Sequence, residues 1–365
     1  MNRKAKSQKV IILDSNALIH RAYHALPPLT SPKGEVVNAL YGFLLVFFRA
    51  MKDISPDFVF ATFDLKGPTF RHREFKEYKA KRVKAPDELY AQIPMVKKFL
   101  QELHVPVFAK EGFEADDLIG TISLRLKELG SGSKHEAIIV TGDLDALQLV
   151  DETTEVLTLR KGLGDSVLYG VKEVQERFGI PPARMNDYKG LRGDPSDNIP
   201  GVKGVGEKTA AGLIKRFGTI EKLYGELSSG SSRAKALPGK LCEKLLLYKD
   251  AAFLSKKLVT IKRDVDIDVS LEEGRWGQFK LEAVKSLLKE YGFFSLVDKI
   301  PSVSFTGKQA QKDGGEDVVP SNVKGEEASD EKRTIGEIEI LYKSGMISAK
   351  LYEVEKALVP IITDI

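Results

Sequence analysis

Nine carboxylates fall in five short clusters: Asp14; Asp64; Glu114 with Asp116 and Asp117; Asp143 with Asp145; and Asp194 with Asp197. So many negative charges cannot stay ionised side by side unless a cation neutralises them. Carboxylate oxygens suit hard divalent ions, Mg²⁺ above all. Two such ions, about 3.5–4 Å apart, can stabilise both the attacking and the leaving oxygen of an in-line phosphodiester displacement. No serine, cysteine or histidine nucleophile is required. Each cluster also has an ordinary reading, since acids at a helix start offset its dipole and the others could be caps or turns. Taken together, the five clusters favour metal and phosphate.

Two further segments carry charge or glycine in a useful pattern. Between Arg71 and Lys84, RHREFKEYKAKRVK holds seven Lys or Arg against two Glu. A helix here would set most of Arg71, Phe75, Tyr78, Lys79 and Arg82 on one stripe, fit for the phosphates and unstacked bases of a single strand. The alternative is a solvated surface helix, but a start seven residues after Asp64 puts the segment at the rim of the acidic site. GVKGVGEKTA, from Gly201 to Ala210, spaces two glycines like a P-loop, yet Glu207 intervenes before Lys208 and Thr209 and no strand leads in. A helix-hairpin-helix fits better, with Gly201, Lys203, Gly204, Gly206, Lys208 and Thr209 presented to a duplex phosphate without reading sequence. A purely structural glycine turn remains the alternative.

These residues need a scaffold. Apolar runs at Val10–Leu13, Val59–Phe63, Val105–Phe108, Ala137–Val140 and Val156–Leu159 read as strands. They alternate with helical patterns at Val37–Lys52, Glu88–Glu102, Ala115–Leu129 and Ala146–Leu149. The expected fold class is α/β, a mostly parallel central sheet flanked by helices, which gathers the acids after Leu13, Phe63 and Val140 along one edge. After about Val171 short helices broken by Gly and Pro take over. The expected boundaries are 1–170 for the α/β core with its basic gateway and 171–302 for a helical subdomain. A disordered linker at 303–334 and a short helical tail at 335–365 follow.

The 365 residues are 42% hydrophobic and 30% charged, enough for one large or two moderate globular domains. No apolar stretch approaches a membrane span. The start MNRKAKSQK has no signal-peptide pattern, so the expected compartment is the cytoplasm. One cysteine, Cys242, excludes an internal disulfide, and five scattered histidines build no zinc site. The net charge of +4 settles nothing about a nucleic-acid partner, because the basic character is local.

LDSNALIHRAYHAL, YGF, FDLKGPTFRHREFKEYKAKR, EADD, TGDLDALQLV, GDPSDNIPGVKGVGEKTA and RFGTIEKL occur in one order from about Val10 to Ile300. In this they resemble the 5′ nucleases of the flap endonuclease type, specifically the N-terminal 5′-to-3′ exonuclease domain of bacterial DNA polymerase I. The resemblance implies a PIN-like 5′ nuclease core and two Mg²⁺ ions, with Mn²⁺ as a substitute. The acids through Asp117 would mainly hold one ion and those from Asp143 to Asp197 mainly the other, with some shared. Arg71 would reach the scissile phosphate, Lys79 and Arg82 would belong to the gateway, and Tyr23 and Arg21 would meet substrate. Implied partners are DNA with 5′ flaps, nicks or 5′ ends, RNA-primed ends included, and a DNA polymerase, in primer removal and repair. A monomer with no membrane association is expected. The sequence departs from the resemblance in lacking a polymerase domain and in insertions at GSGSKHE and ELSSGSSRAK. Its tail, LYEVEKALVPII, is similar to the segment that opens the polymerase portion in that family. Two other readings stand beside it, a PIN-like ribonuclease and a catalytically silent DNA-junction binder.

Overall fold

In the computed structural model, which describes residues 7–129 and 135–301, the apolar runs pair into a single sheet. Its strands are β1 (Gln8–Asp14), β2 (Phe58–Thr62), β3 (Val107–Phe108), β4 (His135–Thr141), β5 (Thr154–Leu159) and β6 (Ser166–Tyr169). Their spatial order is β3-β2-β1-β4-β5-β6, the first five parallel and β6 antiparallel to β5. Apolar residues sit on both faces because both are covered. Val10, Ile12, Phe58, Phe60, Ala137 and Ile139 enter one core, while Ile11, Leu13, Val59, Ala61 and Val140 enter the other. The order runs outward in both directions from the β1–β4 pair. This reversal point is where an open parallel sheet leaves a crevice at its strand ends.

Helices α1 (Ser15–Ala25), α2 (Asn38–Ile54), α3 (Phe70–Glu74), α4 (Asp87–Glu102) and α5 (Ala115–Leu129) belong to the sheet unit. Next come α6 (Val171–Phe178), α7 (Met185–Arg192), α8 (Glu207–Phe217), α9 (Ile220–Ser229), α10 (Ser232–Lys235), α11 (Gly239–Leu247) and α12 (Lys249–Val259). This helical part does not stand apart from the sheet. Leu191, Val202, Val205, Ala210 and Leu213 share one core with Val10, Ile12 and Phe60. After α12 the chain crosses the sheet edge, where Trp276 N–H donates to the Asp57 carbonyl at 2.9 Å. It ends in α13 (Leu281–Glu290) and α14 (Phe294–Val297), whose Val284, Leu288 and Leu296 complete the opposite core with α2 and α4. The expected helical unit of 171–302 is therefore divided, its last part returning to the α/β core.

Local differences have local causes. β3 is shorter than Val105–Phe108 because Pro106 has no N–H to donate, so pairing begins at Val107. Strand β6 was not expected; it is a short run between Gly164 and Gly170 that gains its partner by folding back on β5. Ala146–Leu149 forms a 3₁₀ turn, Asp145–Leu149, rather than an α-helix. The basic segment is helical only through Glu74, and Lys79 lies in the left-handed region at φ 56°. The expected single stripe over Arg71–Arg82 is thus replaced by turns. The linker at 303–334, the tail at 335–365 and residues 130–134 of one insertion lie outside the described residues.

The glycine hairpin joins α7 to α8. Gly201 has φ 59°, and a Cβ there would sit 2.3 Å from the Gly193 backbone nitrogen. Gly201→Ala should therefore destabilise the protein by about 2 kcal/mol or more. Urea unfolding measures this, and a neutral substitution would show that the turn is looser than described.

Candidate active site

The strand ends place the acids. Asp14 terminates β1 and caps α1, accepting from Ala17 N–H at 3.1 Å and from the Thr141 hydroxyl, at the end of β4, at 2.6 Å. Asp64 follows β2 and accepts from Ala115 N–H at 2.7 Å, which ties it to the start of α5. Asp116 sits in the first turn of α5, and Asp143 follows β4. These four line one cleft of about 410 Å³ with Glu114, Asp197, Lys79, Arg82 and Arg21.

The nine carboxylates separate by how their charge is met. Asp145 and Asp194 share the ammonium of Lys189, itself 7% exposed, with 3.0 Å to Asp194. Glu114 and Asp197 face each other across the hydroxyl of Tyr78, which donates at 3.0 and 3.2 Å, and they receive Lys79 and Arg82. Burial alone would raise Glu114, but Lys79 and Arg71 outweigh it and hold the carboxyl below its usual value. Lys189 and Ser196 likewise overcome burial at Asp194. Asp117 turns away from the cleft and forms a fork with Arg71.

Asp14, Asp64, Asp116 and Asp143 have no such cation. Burial, together with Asp64 and Asp143, pushes the Asp14 carboxyl up to about 7. Burial, then Asp14, Asp143 and Glu114, drives Asp116 well above the usual carboxylate range, and Asp64 is raised mainly by burial. Unmatched negative charge on clustered carboxylates that solvent can reach suits a divalent cation. Among the described residues no group of three such side chains stands in ligating array as oriented here. Several of the acids are turned instead toward the protein's own cations.

Three expected residues are placed differently. Arg71 is 3% exposed and held by Asp117; its Nη1 stands 3.7 Å from Glu114, but it does not itself line the cleft. All of the acceptor directions of Asp117 are filled by Arg71 and by the backbone N–H groups of Glu114 and Lys262, so it offers no oxygen to a metal. Tyr23 packs against the core beside α2 and is absent from the cleft wall. His20 and His24 line the wall instead; they share a face of α1 with Asn16 at four-residue spacing, a period visible in the sequence. Lys189 carried no local signal, because its partners converge from Asp145 and from beyond α7. Arg21 lines the cleft and donates to the Leu159 carbonyl at 3.0 Å, binding α1 to the β5–β6 hairpin.

A second cleft of about 750 Å³ runs from Asp143 and Lys189 to Lys208, so the start of α8 lies on the same side as the acids. Lys208 lines this cleft; Lys203, Gly204 and Gly206 are exposed, Thr209 is half-buried, and Gly201 is enclosed by the turn.

Residues 9–179 match the 5′-3′ exonuclease N-terminal resolvase-like domain, and residues 180–282 match the 5′-3′ exonuclease C-terminal SAM fold. DNA polymerase I of Bacillus subtilis is 39% identical over 304 residues, covering 83% of this chain and 33% of that protein. DNA polymerase I of Mycobacterium tuberculosis is 34% identical over 311 residues, covering 85% and 33%. The chain thus spans about a third of the length of the curated relatives it matches. In fold it is similar to a bacteriophage T5 flap endonuclease in a complex with DNA and metal ions, at TM-score 0.54, 19% identity and coverage of 80% and 96%. It is also similar to the catalytic core of Rad2 in complex with DNA substrate, at TM-score 0.52, 17% identity and coverage of 80% and 91%. A carboxylate cleft at the switch point of a parallel sheet, backed by a helical subdomain, places the chain among the PIN-like nucleases. It belongs to the 5′-3′ exonuclease family. No helix among the described residues is long and apolar enough to cross a membrane.

A raised carboxyl makes the folded state bind more protons than the unfolded state, so stability falls as pH rises from the unfolded value of 3.8 through about 7 at Asp14. In EDTA the melting temperature should drop from pH 5 to pH 8. Added Mg²⁺ should recover at least about 2–4 °C at pH 8 and much less at pH 5. Equal Mg²⁺ effects at both pH values would sink the assignment of uncompensated charge to this cleft.

Proposed function

We propose that this chain is a divalent-metal-dependent, structure-specific 5′ nuclease that cuts DNA at 5′ flaps, nicks and 5′ ends, including RNA-primed ends. One observation carries the reading. Asp14, Asp64, Asp116 and Asp143 converge at the sheet's switch point with no ion-pair partner among the described residues, and Lys79 and Arg82 stand at the rim. Family membership agrees with it.

Asp14, Asp64, Asp116 and Asp143 would hold one divalent ion, with Glu114 beside them. Asp145, Asp194 and Asp197 would hold a second as Lys189 and Arg82 transfer from carboxylate to phosphate. Mg²⁺ is the ion of choice and Mn²⁺ a substitute, because both take oxygen ligands. When bound, these ions supply Lewis-acid polarisation and water activation for hydrolysis. Lys79 and Arg82 then neutralise the incoming strand and set its register, and Arg21 holds the opposite wall of the cleft. The hairpin carrying Gly201, Lys203, Gly204, Gly206, Lys208 and Thr209 would dock duplex by its phosphates, which predicts strong salt dependence with little sequence preference.

The relatives are polymerases, so a DNA polymerase is the proposed partner, with primer removal and repair as the setting and a monomer as the working form. The functional units would be the α/β core through about residue 170 and the helical part after it, with α13 and α14 returned to the core.

A 5′-labelled flap incubated with and without Mg²⁺ tests the reading, cleavage being expected near the junction. Asp143→Ala should lower the rate at least about 10²-fold, since even outer-shell partners of a metal are worth 10–100-fold. Intact flaps with degraded single-stranded RNA would favour a ribonuclease, and cleavage that persists equally in EDTA would remove the metal.

A further inference from the structure

Arg71 opens the gateway, yet its hydrogen bonds all run inward, and toward the cleft it has only an ion-pair distance of 3.7 Å from Nη1 to Glu114. Asp117, 0% exposed, takes the two guanidinium nitrogens at 2.7 and 2.8 Å. Nε donates to the Leu258 carbonyl at 2.8 Å, and Nη2 also donates to the Thr260 carbonyl at 3.1 Å. Asp117 in turn accepts from Lys262 N–H at 2.8 Å and Glu114 N–H at 3.1 Å. One buried pair thus joins three remote segments: α3, the first turn of α5, and the chain leaving α12.

Each segment supports part of the cleft. Beyond α3 the chain reaches Lys79 and Arg82 through turns, held not by a helical ladder but by turn bonds and by Lys79 N–H donating to the Asp197 carbonyl at 2.9 Å, so the approach from α3 is set at Arg71. The first turn of α5 carries Asp116 and follows Glu114 directly. The exit of α12 supplies Leu258 and Val259, which pack with Tyr78 and Ile199 beneath the gateway. A segment without its own ladder takes its position from such ties. Replacing a buried ion pair by apolar groups is often neutral for stability, so stability alone gives little reason for this one. The planar fork does fix orientation, which lysine or a neutral amide cannot reproduce.

Resting on the nuclease reading above, we infer that Arg71 and Asp117 are positioning residues, a buried strut that sets Lys79 and Arg82 over Asp64, Glu114 and Asp116. Neither touches phosphate or metal. This departs from the expectation that Arg71 reaches the scissile phosphate and that Asp117 is a ligand.

The test measures single-turnover cleavage of a 5′ flap, binding of unflapped duplex, and melting, in Arg71→Lys, Asp117→Asn and their double variant. Misplacement of catalytic groups by about 1 Å costs on the order of 10²-fold. Each single variant should therefore slow cleavage by about 10²-fold, the double variant no further, with duplex binding unchanged. In a Lys79→Ala/Arg82→Ala background, Arg71→Lys should add nothing. An Arg71→Met/Asp117→Leu variant guards against simple unfolding: it should fold and bind duplex yet cut as slowly as the single variants.

Full activity in Asp117→Asn would overturn the strut, because freeing Arg71 would then do no harm. So would losses that multiply in the double variant, or a loss from Arg71→Lys that persists without Lys79 and Arg82. A wild-type chain that cuts no flap would overturn the nuclease reading and this inference with it. A cutting wild type with an active Asp117→Asn would overturn the strut alone.

Discussion

Uncompensated negative charge at one edge of a parallel sheet is the constraint on which the rest of this structure depends. Asp14, Asp64, Asp116 and Asp143 are gathered on one cleft wall by β1, β2, α5 and β4, Asp14 buried, Asp116 and Asp143 half-buried and Asp64 open to solvent. The remaining acids are each met by a cation of the protein: Lys189 between Asp145 and Asp194, Lys79 on Glu114, Arg82 on Asp197, and Arg71 on Asp117. The contrast between these sets gives the cleft its chemical character. A site built only for stability would have paired every buried acid.

The cations that meet the second set are not alike. Arg71 is locked by two carbonyls and a fork and has no freedom to leave. Arg82 is half exposed, at 50%, and sits on a turn, with Asp197 as its ion-pair partner. Lys79 is held between those extremes, its φ of 56° setting the turn and its N–H bonded to the Asp197 carbonyl at 2.9 Å. A basic segment that looks uniform in sequence is therefore divided, by burial and by hydrogen bonding, into an enclosed anchor and two more accessible charges.

The sheet topology explains why the helical part sits where it does. With β1 and β4 adjacent at the centre, one face is closed by α1, α2, α4 and the returning α13 and α14, and the other by α5, α6 to α9, α11 and α12. Packing of Val202, Val205 and Ala210 against the same core as Ile12 brings the glycine hairpin to the acidic side. The start of α8, at Glu207 and Lys208, thus lines one cleft with Asp143, Asp145 and Asp194, although more than fifty residues lie between Asp143 and Glu207.

Much of this was legible in the residue pattern. Unbroken apolar runs ending in Asp fixed the parallel sheet and its acidic edge, because strands buried on both faces need apolar residues at every position. Glycines in GVKGVGEKTA marked a turn that other residues resist, and Gly201 and Gly204 do have positive φ. Periodicity misjudged the gateway, since spacing of three and four is equally available to a chain of turns. It also missed β6, whose four residues signal a strand only with β5 beside them. The sequence by itself determined which residue types could hold metal and phosphate, and roughly along which edge. The tertiary structure decided which carboxylates remain unmatched, that Arg71 braces rather than reaches, and that Lys189 sits between two acids. Charge compensation is a through-space quantity, and no local pattern encodes which buried cation arrives at which carboxylate.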